Sequence, residues 1–198
     1  MNKAKVFEQE LTWIENDNIR EFALTAISGL PDYFFEVPAS STGKYHPPYA
    51  LGSGGLVRHT KAALMIAKEM LNLEMFTKKY NKADQDLIYV AIMLHDGWKH
   101  GKSYSKYTVT EHPNVAADYA VEVNHGTNLL TAEQIEKLHG MIASHMGQWC
   151  TDRYKNEILP KPKTSIQSFV HLCDYLASRK FLLFDFGSDY YNPENRID

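Results

Sequence analysis

Apolar residues recur along this chain at steps of three, four and seven, the spacing of one helix face, in six separate stretches. Val6, Phe7, Leu11, Ile14, Ile19, Phe22, Ala23, Ala26 and Ile27 predict helix from about Val6 to Ser28, with a slip after Ile14 that places an interruption near Asn16-Asp17-Asn18. Gly29-Leu30-Pro31 stops it, because glycine after the last helical residue followed by proline does not continue a helix. Leu56, Val57, Thr60, Ala63, Leu64, Ala67, Met70 and Leu71 form the stripe of an amphipathic helix from Leu56 to Leu73. The run Ile88 to Leu94 is apolar on every side and predicts a buried helix, starting at Ala83 or Asp84 and reaching Trp98. Three more helices are expected: from Pro113 to about Val123, from the capping pattern Thr131-Ala132-Glu133-Gln134 through His145, and from Thr164 to about Leu183. No strand pattern competes with them, so the expected fold class is all-α.

Between the first two helices, proline, glycine and serine forbid a long helix or a central strand from Phe34 to Gly55. Long ordered loops in compact domains are usually functional. The segment 31–55 is therefore expected on the substrate side, where Lys44 and His46, with Ser40, Ser41 and Thr42, reach an anionic substrate. A surface wrap held by its aromatics is the alternative. The tail 184–198, with Phe184, Phe186, Tyr190 and Tyr191, reads equally as a lid, an interface segment or packing.

The 198 residues suffice for one domain with a substantial core, and one domain over 1–198 is expected. Hydrophobic residues at 44% and charged residues at 23% are ordinary globular composition, which argues against disorder. A formal net charge of -3 gives no global basic surface for duplex DNA, leaving only a local groove for nucleic acid. Cys150 and Cys173 form neither a disulfide framework nor a zinc motif and fit a reducing cytoplasm. The first ten residues lack the apolar core of a signal peptide and no apolar run approaches membrane-spanning length, so a cytoplasmic protein off the membrane is expected.

Candidate chemistry changes this picture at one place. The buried run ends abruptly in His95-Asp96-Gly97-Trp98-Lys99, and burying an unpaired imidazole and carboxylate costs several kcal/mol, roughly. A divalent cation compensates both at once, since neutral imidazole and ionised carboxylate are standard ligands of Zn, Mn, Fe and Co. Four further residues are placed to complete such a site: His59 beside its helix stripe, His112 at a helix entrance, His145 three residues after Ile142, and Asp174 among inward apolar positions. A lone histidine on an apolar face is more often a satisfied core residue; six candidates from five segments are not alone. His139 points about 120° away from His145 and is a poor ligand for the same ion. His100, His125 and His171 are expected at surfaces or in hydrogen bonds behind the ligands, with His171 one turn before Asp174 and placed to orient it.

The order His59, His95-Asp96, His112, His145, Asp174 resembles the HD-domain superfamily, over about residues 51–180. His59 in Gly-Gly-Leu-Val-Arg-His-Thr looks like the family's first histidine, and Asp174 in Val-His-Leu-Cys-Asp-Tyr looks like its last aspartate. The resemblance implies an all-helical bundle with one metal held by His59, His95, Asp96 and Asp174. It implies a second held by His112 and His145, with Asp96 bridging. Lys99 stands where phosphohydrolases of the superfamily keep a phosphate-contacting lysine, although Trp98 replaces the usual preceding glycine; a solvated lysine at a helix C-terminus is the alternative. Lys-Tyr-His-Pro and Gly-Gly-Leu-Val-Arg-His are also similar to segments of short bacterial and phage HD proteins and, loosely, of 3′-to-5′ exoribonucleases.

The function implied is hydrolysis of a phosphate ester or anhydride of a nucleotide, short single-stranded RNA or DNA included. Two ions would bring the pKa of a bridging water to near 7, and Asp96 and Lys99 carry the catalytic roles. Lys44, His46, Arg58 and Lys99 would bind substrate, and His46, if protonated, would donate to the leaving oxygen. With this many histidines, Mn, Fe, Co or Ni is preferred over Zn or Mg. A mixed-valent di-iron HD oxygenase uses the same ligand order and stands as the alternative, followed by a binding protein whose metal is structural. A homo-oligomer stays open.

Overall fold

The computed structural model describes residues 2–152 and 154–182. Among these the regular structure is helical: α1 (Glu8–Leu11), α2 (Asp17–Ser28), α3 (Gly55–Leu71), α4 (Glu74–Thr77), α5 (Lys82–Leu94), α6 (His112–Thr127), α7 (Ala132–Ala143) and α8 (Ser165–Ala177). Short 3-10 turns cover Lys3–Phe7, Asp32–Phe35 and Pro48–Ala50. The only β pairing among the described residues is an isolated bridge between Thr151 and Glu157. The all-α expectation is met. Among the described residues no helix is long and apolar enough to cross a membrane. The expectation for the tail 184–198 lies outside the described residues.

α5 is the axis. Every residue from Asp86 to Leu94 is buried, and α5 packs on α2, α3, α6, α7 and α8. One continuous apolar core runs from Ala4 to Ala177 through all the longer helices. Asp86, the one acidic residue in that buried run, turns both oxygens onto the backbone N–H groups of Glu15 (3.1 Å) and Asn16 (2.9 Å), tying the entrance of α2 to α5. Asn16 then caps α2 by accepting from Ile19 N. The interruption expected near Asn16 is thus real, and the first long helix divides into α1 and α2.

Several boundaries differ from expectation, each for a local reason. α5 begins at Lys82 because Asn81 caps it through the N–H of Asp84, 2.9 Å away. It stops at Leu94, not Trp98: Gly97, Lys99 and Gly101 donate to carbonyls three residues back, and the chain tightens into successive turns. Gly97 suits this turn, since a Cβ would lie 2.6 Å from Leu30 Cδ2 and the buried Leu30 would have to shift. α6 continues beyond Val123 to Thr127, where Asn128 adopts a left-handed conformation and Asn124 clamps both backbone polar groups of Leu130. α7 ends at Ala143, so His145 follows the helix instead of lying on it. α8 ends at Ala177, six residues short of Leu183, with Ser178 N returning to Asp174 O. α4 had no clear periodic signal in four residues.

The segment before α3 is held by backbone contacts. Leu56 N donates to Val37 O and Gly54 N to Glu36 O. At Gly55 an added Cβ would meet Ala50 O at 2.3 Å, so only glycine lets this loop lie against the start of α3.

Candidate metal centre

Five helix ends converge. His59 lies in the first turns of α3, His95 caps α5, His112 opens α6, His145 follows α7, and Asp174 sits in the last turn of α8. All six candidate ligands from the sequence, Asp96 included, meet there. His59, His95, Asp96, His112 and His145 are buried, and only the Asp174 side chain, 19% exposed, gives solvent contact.

A repeated device orients three of the rings. Nδ1 of His95, His112 and His145 lies 2.7, 2.7 and 2.8 Å from the carbonyl oxygens of Ile92, Val109 and Ile142, each three residues back. A carbonyl only accepts, so each Nδ1 carries the hydrogen and a neutral ring presents a lone pair at Nε2.

Those lone pairs face the carboxylates. Asp96 Oδ1 is 3.0 Å from His112 Nε2 and 3.7 Å from His145 Nε2. Asp96 Oδ2 is 3.5 Å from His95 Nε2 and 4.0 Å from His59 Nε2. Asp174 Oδ1 accepts a hydrogen bond from His59 Nε2 at 2.9 Å and lies 3.6 Å from His95 Nε2. Among these atoms Asp96 Oδ1, His95 Nε2 and His112 Nε2 are buried without a hydrogen-bond partner. Lone pair against lone pair is repulsive unless positive charge lies between, and the donor set of imidazole and carboxylate suits a transition-metal cation. Ligand atoms of His59, His95 and Asp174 lie within 4.8 Å of one another, as do those of His95, Asp96 and His145. These groups can hold a metal ion.

The titration behaviour carries the same message. Burial works to raise the Asp96 carboxyl, but Lys99, His95 and the nearby His112 and His145 outweigh it and hold it well below the usual range. Asp174 behaves alike, with His59 and His95 outweighing burial. Burial disfavours a charged His95, yet Asp96 and Asp174 draw its pKa upward. His59 and His112 are pushed down, chiefly by burial.

Lys99 is buried and its ammonium bonds Asp96 Oδ2, which excludes the alternative of a solvated helix-terminal lysine. His46 packs edge-on over His59 with ring centroids 4.8 Å apart. Burial, then His59 and Lys99, lower it to about 2, which disfavours the protonated His46 expected as a proton donor. Arg58 donates to the carbonyls of Tyr49 and Leu51 and braces the loop ahead of α3. Lys44 is exposed in that loop, two residues from His46.

The remaining histidines sort themselves by contact. His171 pairs with the carbonyl of His145 at 2.6 Å and does not orient Asp174, as its spacing had suggested. His100, expected at the surface or behind the ligands, is buried, with Nδ1 bonded to Ser105 O. His125 is exposed, and His139 stands at the surface beside Asp118 at 3.3 Å. Tyr33 was not anticipated: burial, and then the charge of Asp96, push its phenol up to about 12, which places it in the field of the centre. Cys150 and Cys173 are free and buried.

Comparison with protein-family models, with curated proteins and with solved structures finds no match.

Proposed function

We propose that this chain is a metal-dependent phosphohydrolase of the HD type, acting on a phosphate ester or anhydride of a nucleotide. The observation that carries this reading is the division of Asp96: Oδ1 faces His112 and His145, while Oδ2 faces His95, His59 and Lys99. A carboxylate with a separate histidine set on each oxygen suits a bridge between two divalent cations. His59, His95, Asp96 and Asp174 would hold one; His112, His145 and Asp96 the other. The histidine-rich set favours Mn, Fe, Co or Ni. Such ions supply Lewis acidity toward a phosphoryl oxygen and a water acidic enough to ionise near pH 7.

The chain's own groups do the rest. Lys99 brings the ammonium nearest the carboxylate bridge and is placed to offset charge on a phosphoryl oxygen as it develops. His46 walls the first histidine, and a proton on its ring is disfavoured. The three i−3 carbonyl bonds fix the rings before any ligand arrives, so little reorganisation is needed on binding. Two reduced, buried cysteines accord with a cytoplasmic setting.

The test is metal analysis of the purified chain, followed by phosphate release with Mn²⁺ from mononucleotides, dinucleotides, cyclic dinucleotides and short RNA. About two metal equivalents per chain and release from at least one class are expected. Full metal loading with no release overturns the reading, and O₂ consumption with Fe²⁺ replaces it with the oxygenase.

A further inference from the structure

The loop 101–110 leaves the centre and returns to it. It starts two residues after Lys99 and ends two before His112, and Val109 N closes it on Lys99 O at 2.9 Å. Gly101 takes a φ of +80°, and a Cβ there would press on Val109 Cγ2 at 3.2 Å, so the closure is tight. At its tip Tyr104 and Tyr107 are 62% and 58% exposed.

Tyr104 is held firmly. Its ring stacks on buried His100, with centroids 5.4 Å apart and planes 9° from parallel, and Tyr33 lies against both. Tyr33 Oη donates to Gly101 O at 3.0 Å, and His100 Nδ1 bonds Ser105 O, so the support is pinned to the loop's own backbone. Lys106 sits 5.8 Å over the Tyr107 ring, and Lys102 lies 3.1 Å from Glu122. No acidic residue occurs from Gly101 to Thr110, in a chain of net charge -3.

We propose that this loop is a base-stacking platform for a single-stranded oligonucleotide, with Tyr104 and Tyr107 stacking bases and Lys106 meeting the backbone. Aromatic faces interleaved with lysine are the chemistry that binds single strands without reading sequence. A mononucleotide offers one base, whereas two exposed rings on one loop suit a strand of two or more bases. The proposal rests on the hydrolytic reading for its substrate class and deepens it from nucleotide to oligonucleotide.

The probe is a fluorescein-labelled short single-stranded DNA with phosphorothioate linkages, titrated by anisotropy into the metal-loaded full chain. Tyr104→Ala and Tyr107→Ala are each expected to weaken binding about tenfold, within the range of one lost base stack. Tyr104→Phe keeps the ring and stays near the parent. Lys106→Gln lowers the slope of log Kd against log salt by about 0.7, the value for one phosphate contact on a single strand. Unchanged affinity in both alanine variants, with native circular dichroism, overturns the platform. So does a parent chain that binds the strand no better than a mononucleotide. Phosphate release from a mononucleotide by Tyr107→Ala separates the two ideas: release that persists while strand affinity is unaltered leaves hydrolysis standing without the platform. Ring-dependent strand binding without release from any substrate leaves the platform without hydrolysis.

Discussion

Nε2 of His112 lies 3.0 Å from Oδ1 of Asp96, both buried, and the two make no hydrogen bond. His112 has already spent its proton on Val109 O, so a bare nitrogen confronts a bare carboxylate oxygen. A cation between them removes the repulsion and serves both. Asp96→Ala takes away the shared oxygen atoms of every ligand set and is expected to abolish metal binding and turnover. His139→Ala, altering a surface pair with Asp118, keeps both. Elemental analysis of the two variants decides it, and metal retained by Asp96→Ala would remove the bridge.

Lys99 and Asp96 form a buried pair, with side chains 11% and 2% exposed. Lys99→Met strands Asp96 in the metal-free chain, a loss of about 3 kcal/mol by urea unfolding. With metal bound the carboxylate has another partner and the loss shrinks. In that loaded state kcat for phosphate release is expected to fall about 100-fold or more.

Metal occupancy couples to folding. A site that exists only in the folded chain adds about 4 kcal/mol when free metal exceeds Kd a thousandfold, and Tm drops by about 10 °C on chelation. Differential scanning fluorimetry with and without EDTA measures this; an identical Tm means the convergent ligands hold no ion.

Gly147 sits at φ +58°, and a Cβ there would fall 2.2 Å from His171 Cε1. That ring is the one bonded to His145 O. Gly147→Ala therefore strains the backbone, at about 2 kcal/mol, and displaces the support of a ligand. Metal affinity is expected to fall about tenfold, read by titration with a competing chelator.

Asp86 offers a pH test remote from the centre. Burial outweighs its bonds to Asn16 and Glu15 and raises its pKa above 3.8. A raised folded value means protonation favours the fold: the group's contribution is complete below about pH 3.8 and is lost as pH climbs through the folded value. Relative to Asp86→Asn, the parent should gain stability on acidification from neutrality toward pH 4, by up to about 1.4 kcal/mol per unit. A difference independent of pH would refute the assignment.

Much of this was legible in advance. The helical period of the apolar residues dictated an all-α chain, and the abrupt His95-Asp96 after a wholly apolar run marked where charge had to be compensated. Thr131 announced its helix by a capping pattern, because that signal is local and resides in four residues; Thr164 and Gln167 form the same box in the structure. Helix ends were less legible. α5 and α8 stop early since backbone turns and side-chain returns such as Ser178 to Tyr175 compete with continued helix, and their balance depends on neighbours.

Residue order and period alone placed six ligand-type side chains on helices or at their margins. Only the tertiary packing decided which oxygen of Asp96 meets which histidine, that His46 lies against His59 and near Lys99 where a proton is disfavoured, and that Arg58 braces a loop. It also decided that His100 underpins Tyr104. Period reports a residue's angle about its own helix, whereas distance, burial and charge depend on what the other helices bring to the same point.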